Sequence, residues 1–376
     1  MKILIAGDVI PQKCNEKLFE DANIDELIGE DLKSIFEEAD IRICNMEGPL
    51  TDSDSAIIKS GPHIKGSLKS LNGYRALFDI VSLANNHIMD YGVTGLQSTL
   101  EALDEAGMGH FGADYNEELA ARPYICEFDG TKIGLYSCVE HEFSAAEAET
   151  PGANCFDALH VLDDIAELKE RTDYVIVLYH GSKEHYRYPI PYVQKRCRRM
   201  VDKGADLVLC QHSHCIGCYE SYRGGEILYG QGNFIFNKVD NEFRHSGLLV
   251  SLENDGGSWH VNHIPVVISG NGIRIPEEAE RRAILEQLDN RSEKSKNSEF
   301  VWNEYKRFCE SSLDNYYGHC LGRLNRIPSL LRKIGLSRIY ETIFSKKKKT
   351  VLLNDIRCEA HMDLFATALA EKIRNQ

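Results

Sequence analysis

The sequence predicts an α/β sandwich, and three observations carry that prediction. Apolar runs of strand length alternate with helix-period segments from the N-terminus to residue 214, the pattern of layered α/β folds. Adjoining runs then follow, Ser246–Leu252 and His260–Ile268, which alternate as antiparallel strands do. That second block is more than a single open parallel sheet needs. Acids, amides and imidazoles also recur where strands end, which is where α/β sheets hold their chemistry.

The elements follow in order. Lys2–Ala6 is a strand ending at Gly7-Asp8, and Ile24–Ala39 has helical apolar spacing. Ile41–Cys44 is a strand, whereas 51–78 reads as loop, broken at Gly61-Pro62-His63. The chain is organised around Ser82 to Gly92. There the strand Ile80–Ala84 stops at Asn85-Asn86-His87, and a helix from Gly95 to Ala106 ends at Gly107. Tyr124–Phe128 and Lys132–Val139 form a hairpin about Asp129-Gly130. Val161–Arg171 and Tyr192–Lys203 are helices, and each is followed by a strand: Tyr174–Tyr179 before His180-Gly181, and Asp206–Cys210 before Gln211-His212-Ser213-His214. Ile227-Leu228-Tyr229 leads into Gly230-Gln231-Gly232-Asn233. After Pro276 the character turns helical, so the chain divides at 272 into a sandwich (1–272) and a helical extension (273–376).

Composition narrows the function. A net charge of −15 over 376 residues disfavours general nucleic-acid binding. No run approaches the ~18 apolar residues of a membrane span. The twelve cysteines, with no signal-peptide pattern ahead of them, read as reduced thiols of a cytoplasmic protein. Cys215 and Cys218 read as two ordinary thiols. The charge is uneven, however: nine Lys and Arg stand against Glu341 alone between Gly318 and Lys349. Leu, Ile and Phe are interleaved with those cations. Two readings stay open there, a peripheral contact with anionic lipid at the inner membrane face and a helical cap on the sandwich.

Five strand ends carry the candidate chemistry: Asp8, Asn45/Glu47, Asn86/His87, His180 and His212/His214. Oxygen and imidazole donors of this kind suit one or two divalent transition ions, Mn²⁺, Zn²⁺ or Fe. His141, His185, His245, Lys183, Arg187 and Arg244 are further residues able to meet an anion.

Taken in order, Gly7-Asp8, Asn45-Met46-Glu47-Gly48-Pro49-Leu50-Thr51, Ala84-Asn85-Asn86-His87 with Asp90 and Gly92, His180-Gly181 with Glu184, His212-Ser213-His214 and Gly232-Asn233-Phe234 resemble the bacterial CapA capsule-synthesis family over residues 1–250. That family is linked to poly-γ-glutamate capsule production and looks like a branch of the calcineurin-like metallophosphoesterases. The resemblance implies a metallophosphoesterase-like sandwich of two sheets flanked by helices, with a dinuclear metal site. It implies Asn86 as a metal ligand and His87 as the acid that protonates the leaving group. His180 and His212 would hold one metal and His214 the other, with Asp8 a first or bridging ligand and Glu47 in the acidic bridging place. Asn45, Asn85, Glu184 and Asn233 fall to substrate binding. Three positions depart from the superfamily pattern: Ile10 stands where Asp-x-His has its histidine, Glu47 replaces an aspartate, and Gln211 replaces a glycine. The expected function is a metal-dependent hydrolase of a phosphoester or related anionic linkage, with an anionic small molecule or polymer as substrate. The alternative is a noncatalytic accessory protein that binds such a polymer or a membrane synthase complex.

Overall fold

The computed structural model describes residues 1–236 and 241–320, residue 330, residues 346–357, and 361–362, 364–365, 369 and 373. Its strands begin with β1 (Lys2–Val9), β2 (Ile41–Met46), β3 (Ile80–Ser82), β4 (Gly109–Phe111), β5 (Ala113–Asp114), β6 (Tyr124–Phe128), β7 (Thr131–Val139) and β8 (Gly152–Ala153). They continue with β9 (Tyr174–His180), β10 (Leu207–Gln211), β11 (Tyr219–Tyr222), β12 (Gly225–Leu228), β13 (Asn233–Ile235), β14 (Ser246–Asp255), β15 (Ser258–Ser269) and β16 (Gly272–Arg274). The helices of the first half are α1 (Glu16–Glu20), α2 (Ile24–Leu27), α3 (Glu30–Glu37), α4 (Leu71–Leu77), α5 (Gly92–Ala106) and α6 (Glu117–Ala120). Then come α7 (Val161–Arg171), α8 (Pro191–Asp202), α9 (Glu278–Ser295) and α10 (Ser298–Cys320).

Two sheets form the sandwich. The first has the order β16-β15-β14-β1-β2-β3-β4, with β13 also paired to β1. Its β1–β4 half is parallel and its β14–β16 half antiparallel. The second has the order β11-β12-β10-β9-β7-β6, and β5 and β8 make a separate two-stranded ribbon. Alternation along β1 shows how the layers separate, because successive strand residues face opposite sides. Ile3 and Ile5 join Ile133, Leu135, Ile176 and Leu209 in the core between the sheets. Leu4 and Ala6 join Leu32, Phe36, Leu96 and Leu103 under the helices. The α/β sandwich flanked by helices is therefore the observed fold.

Two expectations are corrected. The segment 24–39 is not one helix: α2 and α3 are separated at Ile28-Gly29, where Gly29 N–H donates to Ile273 O at 3.0 Å. That bond to β16 takes the backbone out of the helical path. Nor is 51–78 loop throughout, since Leu68–Ser70 forms a 3₁₀ turn that runs into α4. Gly73 masks α4 in the sequence, but it is needed for packing, because a Cβ there would lie 2.6 Å from the Phe19 ring.

The chain divides into compact units Met1–Glu304 and Tyr305–Gln376. The first runs past residue 272 because α9 packs on the second sheet: Leu288 is buried, and Ser292 Oγ accepts from Tyr219 N–H at 2.9 Å. In the second unit the end of α10 and the helix Lys346–Arg357 are described. Most of the basic stretch 318–349 lies outside the described residues. Among those described, no helix is long and apolar enough to cross a membrane.

Candidate metal centre

Strand register assembles the site. Asp8 near the end of β1 pairs across to Asn45 on β2 and to Asn233 on β13. This is possible because residue 7 is glycine: any Cβ there would collide with the Gly232 carbonyl oxygen. On the second sheet Gln211 pairs with His180, so His212 follows directly beside it. The backbone then enters the left-handed region at both His212 (φ 79°) and His214 (φ 53°). Such angles are uncommon for residues other than glycine and gather at functional sites.

The side chains converge at close range. His180 Nε2 lies 3.1 Å from Asn86 Oδ1, 3.2 Å from His212 Nδ1 and 3.3 Å from Glu47 Oε1. Asp8 Oδ1 accepts from Asn45 Nδ2 at 2.9 Å and stands 4.0 Å from His180 Nδ1. His214 Nδ1 is 3.4 Å from Asp8 Oδ2 and 2.8 Å from Asn233 Oδ1. Asn45 Nδ2 also donates to Glu47 Oε2. All of these residues are buried.

Burial and charge set the protonation. Burial opposes ionisation of Asp8, but contact with His214 and the field of His180 outweigh it and bring its pKa below the ordinary value. Burial also opposes charging of His180, yet Glu47, Asp8 and Glu142 carry its pKa above the usual imidazole range. His212 is pushed well below that range by burial, with His180, His214, His87 and Lys183 adding to it. It is therefore neutral, the form in which imidazole binds metal.

The donor set fits a divalent transition ion. One donor atom from each of Glu47, His180 and His212 lies within 4.8 Å of the others. A single N–H on His180 Nε2 cannot serve the three neighbouring acceptor atoms together. Among the described residues Glu47 Oε1 accordingly has no hydrogen bond although fully buried. A cation among these oxygens and nitrogens would satisfy what protons cannot.

His87 sits beside the centre. Its backbone N–H donates to Asn85 Oδ1 at 3.1 Å, and its Nδ1 lies 2.7 Å from Asp90 Oδ2. Lys59 Nζ donates to the same Asp90 carboxylate. Asn86, His87, His214, Lys59, Glu142, Glu184, His185 and Arg244 are on the wall of a cavity of about 630 Å³, a size ordinary for small-ligand sites.

Comparison with known proteins meets the structure here. The family described as "Bacterial capsule synthesis protein PGA_cap" matches residues 2–238. The chain belongs to the PGA_cap family. It is 27% identical over 312 residues to the PGA biosynthesis protein CapA of Bacillus subtilis (strain 168), spanning 79% of this chain and 78% of that protein. A probable polyglutamine synthesis accessory protein of Mycobacterium tuberculosis is 31% identical over 169 residues, 42% of this chain and 44% of its own. Among solved structures, a novel phosphatase from Mycoplasma pneumoniae aligns with TM-score 0.46 and 16% identity, over 71% of this chain and 93% of that one.

In this PGA_cap chain the structure brings Asp8, Glu47, Asn86, His180, His212 and His214 into one cluster, with His87 at its edge. The four other candidates differ in placement. Asn45 and Asn233 contact the cluster directly. Asn85 is fully buried behind it, and its Nδ2 donates to Asn45 Oδ1 at 3.2 Å and Met46 O at 2.7 Å. Glu184 is at the cavity wall, 3.8 Å from Arg244. The departures also find physical roles. Ile10 is buried in the core and donates its backbone N–H to Ile235 O at 2.9 Å. Gln211 Nε2 donates to Gln231 Oε1 at 3.2 Å, and Gln231 Nε2 to Ile5 O and Leu248 O, so this pair ties the two sheets together below the site. Lys59 and Glu142 went unpredicted. The only sequence signal near Lys59 was the breaker Gly61-Pro62, and nothing marked Glu142, whose Oε2 accepts from Asn86 Nδ2 at 3.3 Å.

Proposed function

We propose that this PGA_cap chain is a metal-dependent hydrolase of a phosphoester or related anionic linkage, working in the biosynthesis of a capsule or exopolymer. The observation that carries the reading is the convergence of Glu47, His180 and His212 within 4.8 Å, next to His87, which lines a cavity and is paired to the buried Asp90 carboxylate. Glu47, His180 and His212 would hold the metal, with Asp8, Asn86 and His214 beside them. A divalent ion bound there supplies Lewis acidity and a water of lowered pKa.

The chain's own groups supply the rest. Asp90 accepts at His87 Nδ1 and so fixes the ring, leaving Nε2 as the nitrogen that gives a proton to the leaving oxygen. Asn85 pins the backbone of the same residue. Lys59 balances the Asp90 carboxylate, so that pair enters the site without net charge. Metal analysis of the purified chain, with hydrolysis of chromogenic phosphomonoesters and phosphodiesters on the same sample, tests the reading. Stoichiometric metal with turnover supports it, and protein that takes up no Mn²⁺, Zn²⁺ or Fe overturns it.

One observation favours a second reading, a noncatalytic accessory protein that binds an anionic polymer. Ile10 contributes no donor where the superfamily pattern has a histidine, which leaves the second metal position poorer in ligands. Metal uptake without turnover, together with polymer binding, would select that reading.

A further inference from the structure

Arg244 lines the same cavity from the 3₁₀ turn Glu242–Arg244. Its guanidinium carbon lies 5.1 Å from the centre of the Phe236 ring, which packs edge-on against His214 at 5.3 Å. Arg244 is therefore one ring removed from an imidazole of the proposed metal centre. The residue is only 9% exposed, and its Nη1 has no hydrogen-bond partner among the described residues. The neighbouring carboxylate, Glu184, approaches Nη2 at 3.8 Å, too long for a hydrogen bond. The Glu184 side chain is 44% exposed.

The other strong base on this wall behaves differently. Lys59 is held by Asp90, with both side chains almost wholly buried. Among the described residues Arg244 thus combines burial, an unpartnered N–H and a distant, half-exposed counter-ion. Leaving a buried guanidinium N–H unmade is unfavourable, and an acceptor delivered by a ligand removes that penalty. Arginine's planar fork matches phosphate and carboxylate oxygens alike.

We propose that Arg244 is the anion-recognition residue of the cavity, taking an oxyanion group of the substrate in a forked contact and releasing Glu184 to solvent. The proposal rests on the reading of the cavity as a site for an anionic substrate. It makes Glu184 a competitor for the arginine rather than a contact to the substrate. Phosphate and carboxylate share the required chemistry, and separate titrations distinguish them.

The test is titration calorimetry of the full-length chain at low salt with inorganic phosphate and, separately, with glutarate, metal content being measured on every sample. Arg244→Gln should weaken the anion that binds by at least tenfold, and Arg244→Lys by less. Glu184→Gln should tighten it severalfold, while the double variant should match Arg244→Gln alone. Metal content should be the same throughout. Equal affinity in wild type and Arg244→Gln, no gain in Glu184→Gln, or no binding of either anion to wild type overturns the proposal. Because Glu184 is half exposed, its variant gives a readout even if Arg244→Gln fails to fold. Protein that takes up no Mn²⁺, Zn²⁺ or Fe and yet shows the Arg244→Gln and Glu184→Gln effects would sink the hydrolase reading and leave this one standing.

Discussion

Lys59 Nζ lies 3.1 Å from His87 Nδ1, and both nitrogens sit on the carboxylate of Asp90. The loop that carries Lys59 is thereby coupled to the histidine proposed as proton donor. The Lys59 and Asp90 side chains are 3% and 1% exposed. Removing one member of such a pair leaves a buried charge uncompensated, which costs about 3–5 kcal/mol. Lys59→Met should destabilise the chain by roughly that amount in urea unfolding. Lys59→Met/Asp90→Asn should recover most of it, because neither charge then remains.

The assignment of His87 separates chemistry from metal binding. His87→Asn should lower turnover by on the order of 10²–10⁴ while metal content stays at the wild-type level. Loss of metal together with turnover would make His87 a ligand instead.

Metal should stabilise the fold as well as the reaction. Its proposed ligands come from both sheets, Glu47 from the end of β2 and His180 and His212 from the ends of β9 and β10. A ligand at a hundred times its Kd adds about 2.7 kcal/mol to stability. Chelation should therefore lower Tm by several degrees, and His212→Ala should abolish the difference between metal-loaded and chelated protein. An unchanged Tm after removal of bound metal would contradict a centre that spans the sheets.

Gln231 gives a test independent of function. Its amide is fully buried and donates to Ile5 O at 2.7 Å and Leu248 O at 3.1 Å while accepting from Gln211. Gln231→Leu should cost about 2 kcal/mol by leaving the Gln211 amide and these carbonyls short of partners. Gln211→Leu/Gln231→Leu should cost less than the two single changes added together, since the pair shares one bond.

The layers of this fold were legible because strand and helix periods are local. Ile3 and Ile5 against Leu4 and Ala6 show the two-sided burial of β1 directly. The site residues at strand ends were legible for the same reason, as in Asn86-His87 and His212-Ser213-His214. What escaped was set by tertiary contact. The break at Gly29 comes from a bond to β16, some 240 residues away, and α4 is disguised by a glycine that Phe19 requires. Lys59 lies in a loop with no periodicity, and only the fold brings it to Asp90. Arg244 could be named as a cation, but its burial and its spare N–H belong to the cavity and leave no mark in the sequence.

The placement of β1 between β2 and β14 bears on how the chain comes to exist. β1 is central, and its antiparallel partner, residues 246–255, is made some 240 residues later. At 5–20 residues per second, roughly 12–50 s of synthesis pass before that edge can be covered. Until then β1 offers an unpaired row of N–H and C=O groups, the feature that templates aggregation. A fragment ending at residue 238, where the family match stops, would keep the Lys2–Ile5 part of that edge permanently open, since only β13 could pair with β1 there, at Asp8 and Val9. It should be recovered as aggregate under conditions in which Met1–Glu304 stays in solution, and a monomeric, cooperatively unfolding 1–238 fragment would refute this. The unit that folds is thus expected to be longer than the unit of family likeness, and the metal centre, which needs Asp8 beside Asn233, cannot be completed before residue 233 has been made.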